Sequence, residues 1–505
     1  MAQIHVADLT FGYEGSFDIV FEHVSFSVDT DWRLGFIGRN GKGKTTFLNL
    51  LLGKYAYSGT ITTSVPFDYF PYPVREDQRK RCASEFMEEL KPGCEEWRVV
   101  CELDKLRGLP DLLYRPFDTL SHGERTKVLL ALLCSGEHDF LLIDEPTNHL
   151  DQGSRQAVKE YLKSKKGFIL TSHDRDLLDS CIDHVLVLNR QSIEVQRGNF
   201  TSWWENKERR DHFEKAENEK HLRQIASLKK AADKSGRWAQ KNENTKIGYD
   251  PVKEPDRPFR AYIGAKTKKL EKRVKEYERK IEREIEAKKE LLRDIEEPVS
   301  LRLNPLLYHK ERLISMSNLS LGYEGAGEVL TGFSFELKRG ERVFLHGENG
   351  CGKSTLIKAI LASGGKSENE SLRVLSGEVK VGSGLKISYV NQDTGFLKGG
   401  IKEFARKQGL DESLLGALLR QLDIERVQFS KNMEEFSEGQ KKKVLIAASL
   451  MTPAHLYIWD EPLNYIDVFS RMQIEELLLS YKPAMILVDH DIRFQEKIAT
   501  RVVEL

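Results

Sequence analysis

The chain carries the same series of short motifs twice, in the same order. Leu9-Thr-Phe-Gly-Tyr-Glu-Gly15 recurs as Leu319-Ser-Leu-Gly-Tyr-Glu-Gly325, and Gly38-Arg-Asn-Gly-Lys-Gly-Lys-Thr-Thr46 recurs as Gly347-Glu-Asn-Gly-Cys-Gly-Lys-Ser-Thr355. Three further pairs follow, and the spacing between partners varies only from 309 to 317 residues. A repeat of this kind predicts two copies of one domain. We call them the first copy (residues 1–204) and the second copy (residues 311–505).

Apolar strand-like runs alternate with amphipathic helical stretches in each copy, which predicts an α/β fold. The region between the copies, residues 205–310, is instead highly charged with helical periodicity. Glycines and prolines between Gly236 and Pro258 are expected to break its helices. We therefore predict two α/β domains joined by an α-helical hairpin linker, with the loop of the hairpin near residues 236–260.

The spacing Gly-x4-Gly-Lys-Thr/Ser after an apolar run predicts a phosphate-binding loop in each copy. Backbone N–H groups of such a loop curl around phosphates, and the N-terminus of the next helix adds positive potential. Lys44 and Lys353 would neutralise phosphate oxygens, while Thr45 and Ser354 would each place a hydroxyl on Mg²⁺. The nucleotide-binding residues predicted from the two loops are Gly38, Asn40, Gly41, Gly43, Lys44, Thr45, Thr46, Gly347, Asn349, Gly350, Gly352, Lys353, Ser354 and Thr355.

Each loop is followed, later in its copy, by an apolar run that ends in Asp-Glu-Pro. Asp144 and Asp460 can hold Mg²⁺ directly or through water, while Glu145 and Glu461 can polarise an attacking water. An Asp-Glu pair can also be a solvated strand end. Four apolar residues before the pair and Pro-x-Asn after it favour the catalytic interpretation.

Two more repeated segments, Ser121-His-Gly-Glu124 and Ser437-Glu-Gly-Gln440, look like a signature motif, and with them the chain resembles the ATP-binding-cassette (ABC) ATPases. The resemblance implies two ABC-type P-loop ATPase domains that pair head to tail. The signature of one domain would then close the ATP bound by the other. The signature residues implied to contact ATP are Ser437, Gly439 and Gln440 at the loop of the first copy, and Ser121 and Gly123 at the loop of the second.

The same resemblance implies roles for five further residues. His173 and His490 match the family's catalytic switch histidine, and Gln392 matches the glutamine that senses Mg²⁺ and the γ-phosphate. Tyr13 and Tyr323 fall where an aromatic ring stacks on adenine, although each could instead be a core-packing tyrosine.

The chain also departs from the family pattern. His122 and Glu438 replace a signature glycine, and Tyr72 stands where the first copy should carry the glutamine. Residues 461–467 depart from the Thr-Asn-His-Leu-Asp pattern that residues 147–151 keep. The two ATP sites are therefore expected to be unequal.

The longest apolar run has seven residues, Val128 to Cys134, far short of the roughly 20 that span a bilayer. The N-terminus carries no secretory signal, so a cytoplasmic protein is expected. Two ABC domains on one chain, a charged linker and the complete Glu145-Pro-Thr-Asn-His-Leu-Asp151 resemble the ABC-F family of ribosome-acting ATPases. Residues 457–469 look like its Lsa-type resistance subgroup, which implies ribosomal protection against lincosamides, streptogramin A and pleuromutilins.

Basic residues are concentrated in the linker. From Lys220 to Arg273 there are 16 Lys plus Arg against 6 Asp plus Glu, although the whole chain has 78 of each class. Such a one-signed surplus favours a phosphate backbone and predicts salt-sensitive binding to rRNA, and nearby aromatic rings can stack on unpaired bases. A solvated helical surface is the alternative. The predicted ribosome-contacting tip residues are Arg237, Trp238, Lys241, Lys246, Tyr249, Phe259, Arg260 and Tyr262.

The predicted function is ATP hydrolysis coupled to the ribosome, with ATP binding promoting engagement and hydrolysis promoting release. The expected partners are rRNA and tRNA in the peptidyl site, with neither membrane nor DNA, and the two copies are expected to pair within a monomer. The alternatives are a housekeeping ABC-F translation factor, the ATPase subunit of an exporter and a DNA-structural ATPase. Tyr72 argues against the exporter, whose membrane interface is organised around the missing glutamine.

Overall fold

The computed structural model describes most of the 505-residue chain. The described residues are 3–13, 19–39, 41–136, 139–148, 150–189, 192–244, 303–323, 327–348, 350–365 and 372–505, with 272, 275, 276, 279–281 and 283. The chain divides into two compact units, Met1–Thr201 with Val299–Leu505, and Ser202–Pro298. Both copies therefore lie in the first unit, and most of the linker lies in the second.

The first copy contains two sheets within its described residues. One is antiparallel, with strands β1 (Gln3–Gly12), β2 (Ile19–Asp29) and β4 (Ser58–Thr62) in the order β2-β1-β4. The strands of the other are β3 (Arg33–Ile37), β5 (Phe67–Phe70), β6 (Phe140–Asp144), β7 (Phe168–Thr171), β8 (His184–Leu188) and β9 (Ile193–Arg197). Their order is β5-β6-β7-β3-β8-β9, and only the β8–β9 pair is antiparallel.

The helices of the first copy lie between these strands in the chain. They are α1 (Lys44–Leu51), α2 (Glu76–Arg79), α3 (Ala83–Leu90), α4 (Glu96–Lys105), α5 (His122–Leu133), α6 (Gln152–Lys163) and α7 (Arg175–Cys181). Phe47 and Leu48 of α1 are fully buried with Phe36 of β3. Burial of side chains of this size stabilises the fold by about 1.5–3 kcal/mol each, which fixes the helix that follows the phosphate-binding loop against the sheet.

The second unit begins within one long helix, α8 (Phe200–Asn244), of 45 residues. The helix continues past Gly236, so the prediction that Gly236 begins the loop is wrong. A glycine keeps its backbone N–H and costs a helix only about 1 kcal/mol, whereas proline removes the hydrogen bond. Among the apolar residues of the linker that the structure describes, Ile225 and Ile281 are buried and Leu222 is half exposed. None of the described helices is long and apolar enough to cross a membrane.

The second copy repeats the two-sheet arrangement. Its antiparallel sheet contains β10 (Arg312–Tyr323), β11 (Gly327–Lys338) and β13 (Leu372–Val381) in the order β11-β10-β13. The strands of its parallel sheet are β12 (Arg342–His346), β14 (Ile387–Val390), β15 (Leu456–Asp460), β16 (Met485–Val488) and β17 (Arg501–Glu504). Within the described part of this copy their order is β14-β15-β16-β12-β17.

The helices of the second copy complete the repeat. They are α9 (Lys353–Ser363), α10 (Ile401–Gln408), α11 (Glu412–Gln421), α12 (Glu438–Met451), α13 (Val468–Tyr481) and α14 (Ile492–Ile498). Because the carboxyl ends of parallel strands share one sheet edge, the loop after β12, the acidic pair after β15 and the histidine after β16 are brought together. The same holds for β3, β6 and β7 in the first copy. The α/β fold class predicted from the repeat is confirmed.

Candidate active sites

Glycines shape the two phosphate-binding loops. Gly43 and Gly352 precede α1 and α9 with φ of 103° and 102°, in the left-handed region. A Cβ on Gly43 would lie 2.6 Å from Val20, and one on Gly352 would lie 3.2 Å from Val329. Only glycine combines this backbone with so close a neighbour. The loops therefore turn directly into the N-termini of their helices, as the predicted phosphate site requires.

The two loop lysines reach back over their own loops. Lys44 Nζ donates to the Gly38 carbonyl at 2.6 Å and to the Arg39 carbonyl at 3.2 Å, and Lys353 Nζ donates to the Gly347 carbonyl at 2.8 Å. Burial lowers the pKa of Lys44. Both ammonium groups are thus held at the mouth of the loop, where phosphate oxygens would replace the carbonyls as partners.

The predicted Mg²⁺ ligands meet in both copies. Thr45 Oγ1 donates to Asp144 Oδ2 at 3.0 Å, and Ser354 Oγ donates to Asp460 Oδ2 at 3.1 Å. Asp460 Oδ1 is buried with no hydrogen-bond partner, and burial, with the charge of Glu461, raises the pKa of Asp460 to about 6. A hard cation prefers such oxygen ligands, so these residues fit Mg²⁺. No cluster of three or more metal-ligating His, Cys, Asp or Glu occurs among the described residues.

Asp144 is more crowded than Asp460. Its Oδ2 also accepts from Tyr69 Oη at 3.2 Å, and its Oδ1 accepts from Thr171 Oγ1. Both carboxylate oxygens of Asp144 therefore already have protein donors, whereas one oxygen of Asp460 has none.

Glu461 is held at the end of β15 by three side chains. Its backbone has φ of 46°, in the left-handed region. Gln392 Nε2 donates to Glu461 Oε2 at 2.8 Å, Asn464 Nδ2 donates to the same oxygen at 2.7 Å, and His490 Nε2 lies 3.7 Å from Oε1. Burial opposes ionisation, but His490, Lys442 and Gln392 together hold the pKa of Glu461 below its ordinary value. The carboxylate is thus kept charged, as a general base must be.

Glu145 adopts the same backbone, with φ of 51°, but in different surroundings. Its Oε2 accepts from the His173 backbone N–H at 3.3 Å, and its Oε1 lies 3.3 Å from His173 Nε2. Burial and then the charge of Asp144 raise the pKa of Glu145 well above its ordinary value. Burial and the charges of Lys44 and Arg471 lower the pKa of His173. Both groups of this pair therefore favour their neutral forms.

Tyr72, at the glutamine position of the first copy, does not reach Glu145 through a hydrogen bond. Its hydroxyl donates to Asp68 Oδ2 at 2.6 Å, and Lys91 Nζ binds the same oxygen at 2.8 Å. The Tyr72 hydroxyl is thus held by Asp68 of β5, whose carboxylate also binds Lys91 at the end of α3. The first copy has no equivalent of the contact between Gln392 and Glu461 among its described residues.

Each signature serine caps a helix. Ser121 and Ser437 accept from the backbone N–H of Glu124 and Gln440 at 3.3 Å, and the side chains of Glu124 and Gln440 bind the serine N–H in return. These capping boxes begin α5 and α12. The helix N-termini carry the positive potential that favours a phosphate.

The signature glycines lie close to neighbouring chain. A Cβ on Gly439 would be 2.5 Å from the carbonyl oxygen of Tyr465, and one on Gly123 would be 3.0 Å from Ser154 Oγ. A larger residue at position 439 would push the segment after β15 away from the signature.

The two aromatic candidates lie against their phosphate-binding loops. Tyr13 Oη is 2.6 Å from Thr46 Oγ1 and Tyr323 Oη is 3.2 Å from Thr355 Oγ1. Tyr13 is 44% exposed, so its ring is not a core residue. Its ring also meets that of Tyr55 at a centroid distance of 5.8 Å. The stacking role itself stays a prediction.

Charged residues of the second copy act on groups of the first site. The charges of Asp467 and Lys443 act on Lys44 and His173, and the two are joined by a buried ion pair, Lys443 Nζ to Asp467 Oδ2 at 2.9 Å. In the second site, the pKa of Asp151 is lowered against the effect of burial, in part by the charge of His490. Each histidine thus interacts through charge with the aspartate of the opposite copy, as expected for head-to-tail pairing.

Sequence reasoning did not single out these cross-copy partners. Asp467 and Asp151 are the N-caps of α13 and α6, and Lys443 and Lys127 precede them at matching distances. A lysine that immediately precedes the apolar stretch of both signature helices was an available signal. Asn40 and Asn349 lie outside the described residues, as do Lys246, Tyr249, Phe259, Arg260 and Tyr262 of the predicted tip. Arg237, Trp238 and Lys241 lie in α8, but their side chains are not described.

Comparison with known proteins gives matches along nearly the whole chain. The ABC transporter family profile matches residues 21–148 and 330–464, together just over half of the chain. The ribosome protection protein VmlR of Bacillus subtilis (strain 168) is 28% identical over 96% of this chain and 84% of its own length. The energy-dependent translational throttle protein EttA of Mycobacterium tuberculosis (strain CDC 1551 / Oshkosh) is 28% identical over 96% of this chain and 88% of its own.

A solved structure shows the same fold at low sequence identity. It is the archaeal ribosome recycling factor aABCE1 in complex with the ribosomal stalk protein aP1. The TM-score is 0.60 and the identity 18%, covering 98% of this chain and 87% of that chain. At this identity the likeness carries the fold alone.

Proposed function

The chain belongs to the ABC transporter family and is an ATPase with one ATP-binding domain in each copy, and on this premise we propose that it is an ABC-F protein that protects the ribosome from antibiotics. The drugs are those that act at the peptidyl-transferase centre, of the lincosamide, streptogramin A and pleuromutilin type. ATP binding promotes ribosome engagement, and hydrolysis promotes release. The protein acts in the cytoplasm as a monomer.

The observation that carries this proposal is the basic helical linker. The helix α8 is 45 residues long, about 67 Å at 1.5 Å per residue. Lys220, Arg223, Lys229 and Lys230 are exposed along its described side chains. They belong to the surplus of ten positive charges between residues 220 and 273. A long helix that is mostly basic from Lys220 onward suits the phosphate backbone of rRNA and can carry the tip into a narrow site.

The two relatives support a role in translation. One is called a ribosome protection protein and the other a translational throttle protein, and each matches 96% of this chain. Their match includes the linker region as well as both copies. An exporter subunit would have no use for this linker.

The composite sites supply the coupling. The charges of Asp467 and Lys443 act on Lys44 across the copies, so ATP bound there would lie between the copies and hold them together. The residues that would hold Mg²⁺ are Thr45, Asp144, Ser354, Gln392 and Asp460. The metal would neutralise charge on the phosphates. Glu145 and Glu461 would orient water, and His173 and His490 would hold those glutamates.

The first experiment is co-sedimentation with bacterial ribosomes. The E145Q/E461Q variant should bind ATP, fail to hydrolyse it and remain on ribosomes, whereas the unaltered chain with ADP should not. Sedimentation of the variant as free protein under ATP would refute the coupling. Expression of the unaltered chain should raise tolerance to a lincosamide, and replacement of residues 236–258 by a short Gly/Ser turn should abolish tolerance while leaving ATPase activity.

Charge-matched variants test the linker separately. K229Q/K230Q removes two exposed cations of α8, and E205Q/E217Q removes two exposed acids of the same helix. Removing two phosphate contacts should make the slope of log affinity against log salt less steep by about 1.5. The acidic control should leave that slope unchanged. Equal effects of the two variants would contradict rRNA binding by this surface.

A second candidate is a translation factor with no drug connection. The relative from Mycobacterium tuberculosis, a translational throttle protein, has the same 28% identity over the same share of the chain. Both candidates predict ATP-dependent co-sedimentation. Only the protection hypothesis predicts a rise in lincosamide tolerance.

A further inference from the structure

A buried arginine joins the two copies. Arg175, the first residue of α7, donates through Nη1 to Glu475 Oε2 at 3.1 Å and through Nη2 to Glu475 Oε1. The side chains are 6% and 0% exposed. Glu475 lies on α13 of the second copy and also accepts from Lys497 at 3.1 Å. A two-point guanidinium–carboxylate contact fixes the relative orientation of its partners as well as their distance.

This contact connects directly to the first ATP site. Arg175 lies two residues after His173, and Glu475 lies on the helix whose N-cap is Asp467. Asp467 is the group of the second copy whose charge acts on Lys44 and His173. The arginine therefore holds α13, and with it Asp467, in place against the histidine of the other copy.

The second site lacks this contact. Both copies begin the relevant helices with equivalent aspartate N-caps, so Arg175 corresponds to Ile492 and Glu475 corresponds to Lys159. Lys159 Nζ instead binds Asp176 of its own copy at 2.6 Å. A small cavity bordered by Lys159 and Ile492 occupies the place that the ion pair fills on the other side.

A second ion pair across the copies also lacks an attractive counterpart. Arg493 Nη1 of α14 lies 2.6 Å from Asp179 Oδ2 of α7. The corresponding residues on the opposite side are Asp176 and Glu496, which are both acidic. They cannot attract one another across the copies.

The residues that border the mouth of each site, beside its phosphate-binding loop, also differ: ion pairs across the copies form there at the first site. At the first site, Arg39 Nη1 lies 3.1 Å from Asp423 Oδ1 and Lys42 Nζ lies 2.9 Å from Glu425 Oε1, both across the copies. At the second site the corresponding residues are Glu348 and Cys351 on the loop, and Arg107 and Leu109 on the facing copy. Arg107 binds Glu160 of its own copy at 2.6 Å, and Leu109 is 71% exposed.

We propose that Arg175 is a positioning residue that keeps the first ATP site closed, and that the copies separate at the second site to exchange nucleotide. The bidentate ion pair and the two pairs at the mouth join the copies on the first side, and the Arg493 pair adds a contact between α7 and α14. Their counterparts within the described residues bind inside one copy or carry charges that do not attract. Nucleotide in the first site is thus released more slowly than nucleotide in the second.

The test measures nucleotide release at each site of the full chain without ribosomes. The protein is loaded with the 8-azido derivative of a non-hydrolysable ATP analogue and Mg²⁺, then chased with unlabelled ATP. Cross-linking at intervals and digestion give the label remaining in peptides of each copy. The half-life of the label in the first copy should exceed that in the second by at least about tenfold.

Variants at the paired positions decide whether Arg175 is responsible. R175I/E475L removes both charges together, because removing one alone would leave the other buried charge without its two-point contact. It should shorten the half-life in the first copy to that of the second and leave the second unchanged. R175K keeps a positive charge beside Glu475, so it should retain part of the difference in half-life between the two copies that R175I/E475L loses. The reciprocal variant I492R/K159E should lengthen the half-life in the second copy.

Two results would overturn the proposal. One is equal half-lives at the two sites of the unaltered chain. The other is equal acceleration at both sites in R175I/E475L, which would mean only a general loosening of the structure. If R175I/E475L does not fold, I492R/K159E still decides, since an unchanged half-life in the second copy would refute a positioning role for this contact.

Discussion

The two ATP sites are built from the same motifs, but their acidic groups lie in opposite electrostatic surroundings. In the second copy, His490, Gln392 and Asn464 hold the carboxylate of Glu461, and its pKa lies below the ordinary value. In the first, Glu145 is buried beside Asp144 and its pKa is raised. The two copies thus keep the positions of the candidate reacting groups, while the residues around those groups differ.

This difference between the two sites suggests that ATP is hydrolysed mainly at one site and that nucleotide is retained at the other. The second site has an ionised glutamate, and its counterparts of the first-site ion pairs, Lys159 and Arg107, bind within their own copy. The first site has a glutamate that favours its neutral form and several ion pairs across the copies. We therefore expect most ATP turnover to occur at the second site. The first site would hold nucleotide through several such cycles.

The largest expected effect comes from the glutamates themselves. E461Q should lower the steady-state ATPase rate by about 100-fold or more, the usual contribution of a general base. E145Q, the matched change in the first copy, should lower it by less than about tenfold. Steady-state phosphate release from the full chain measures both. Equal losses would mean that the two sites contribute equally and would break the comparison.

The next effect is on the stability of the chain. It comes from the lysine that acts on each cross-copy aspartate, Lys443 on Asp467 and Lys127 on Asp151. Lys443 and Asp467 are 3% and 1% exposed, so K443M would leave a buried charge without its partner and should destabilise the chain by about 3–5 kcal/mol. K127M, at the equivalent position beside the part-exposed Asp151, should cost about 1 kcal/mol or less. Urea unfolding of the two variants measures the difference. A larger loss for K127M would contradict the assignment of the buried pair.

The sequence repeat was enough to predict which candidate reacting groups lie together, because each sits at a fixed place in a local motif. Lys44, Glu145 and His173 follow the ends of parallel strands, and a shared sheet edge brings them together without further information. The partners of those groups could not be predicted in the same way. Arg175 and Glu475 lie 300 residues apart, and only the packing of one copy on the other joins them. Propensity likewise failed at Gly236, where the surrounding helix outweighs one glycine.

A smaller effect is expected at the glutamine position. Q392A removes a hydrogen bond to the charged Glu461, worth about 1.5 kcal/mol or more, and should slow hydrolysis by about tenfold. Y72F removes only the hydroxyl that binds Asp68, so the ATPase rate should change by less than about twofold. Phosphate release at saturating ATP measures both rates. A comparable loss in Y72F would show that the tyrosine serves the first site after all.

The smallest expected effect concerns the ion pairs at the mouth of the first site. Arg39–Asp423 and Lys42–Glu425 are partly exposed, so each pair contributes about 0.2–1 kcal/mol. D423N/E425Q should therefore release nucleotide from the first copy about two- to fivefold faster in the site-resolved chase at low salt. Because salt screens exposed charges, the difference should vanish near 1 M salt. R107Q, which breaks a pair within one copy, is the control and should leave both half-lives unchanged. Acceleration that persists at high salt would mean that these residues act through packing, and the charge difference between the two mouths would then not explain their unequal release.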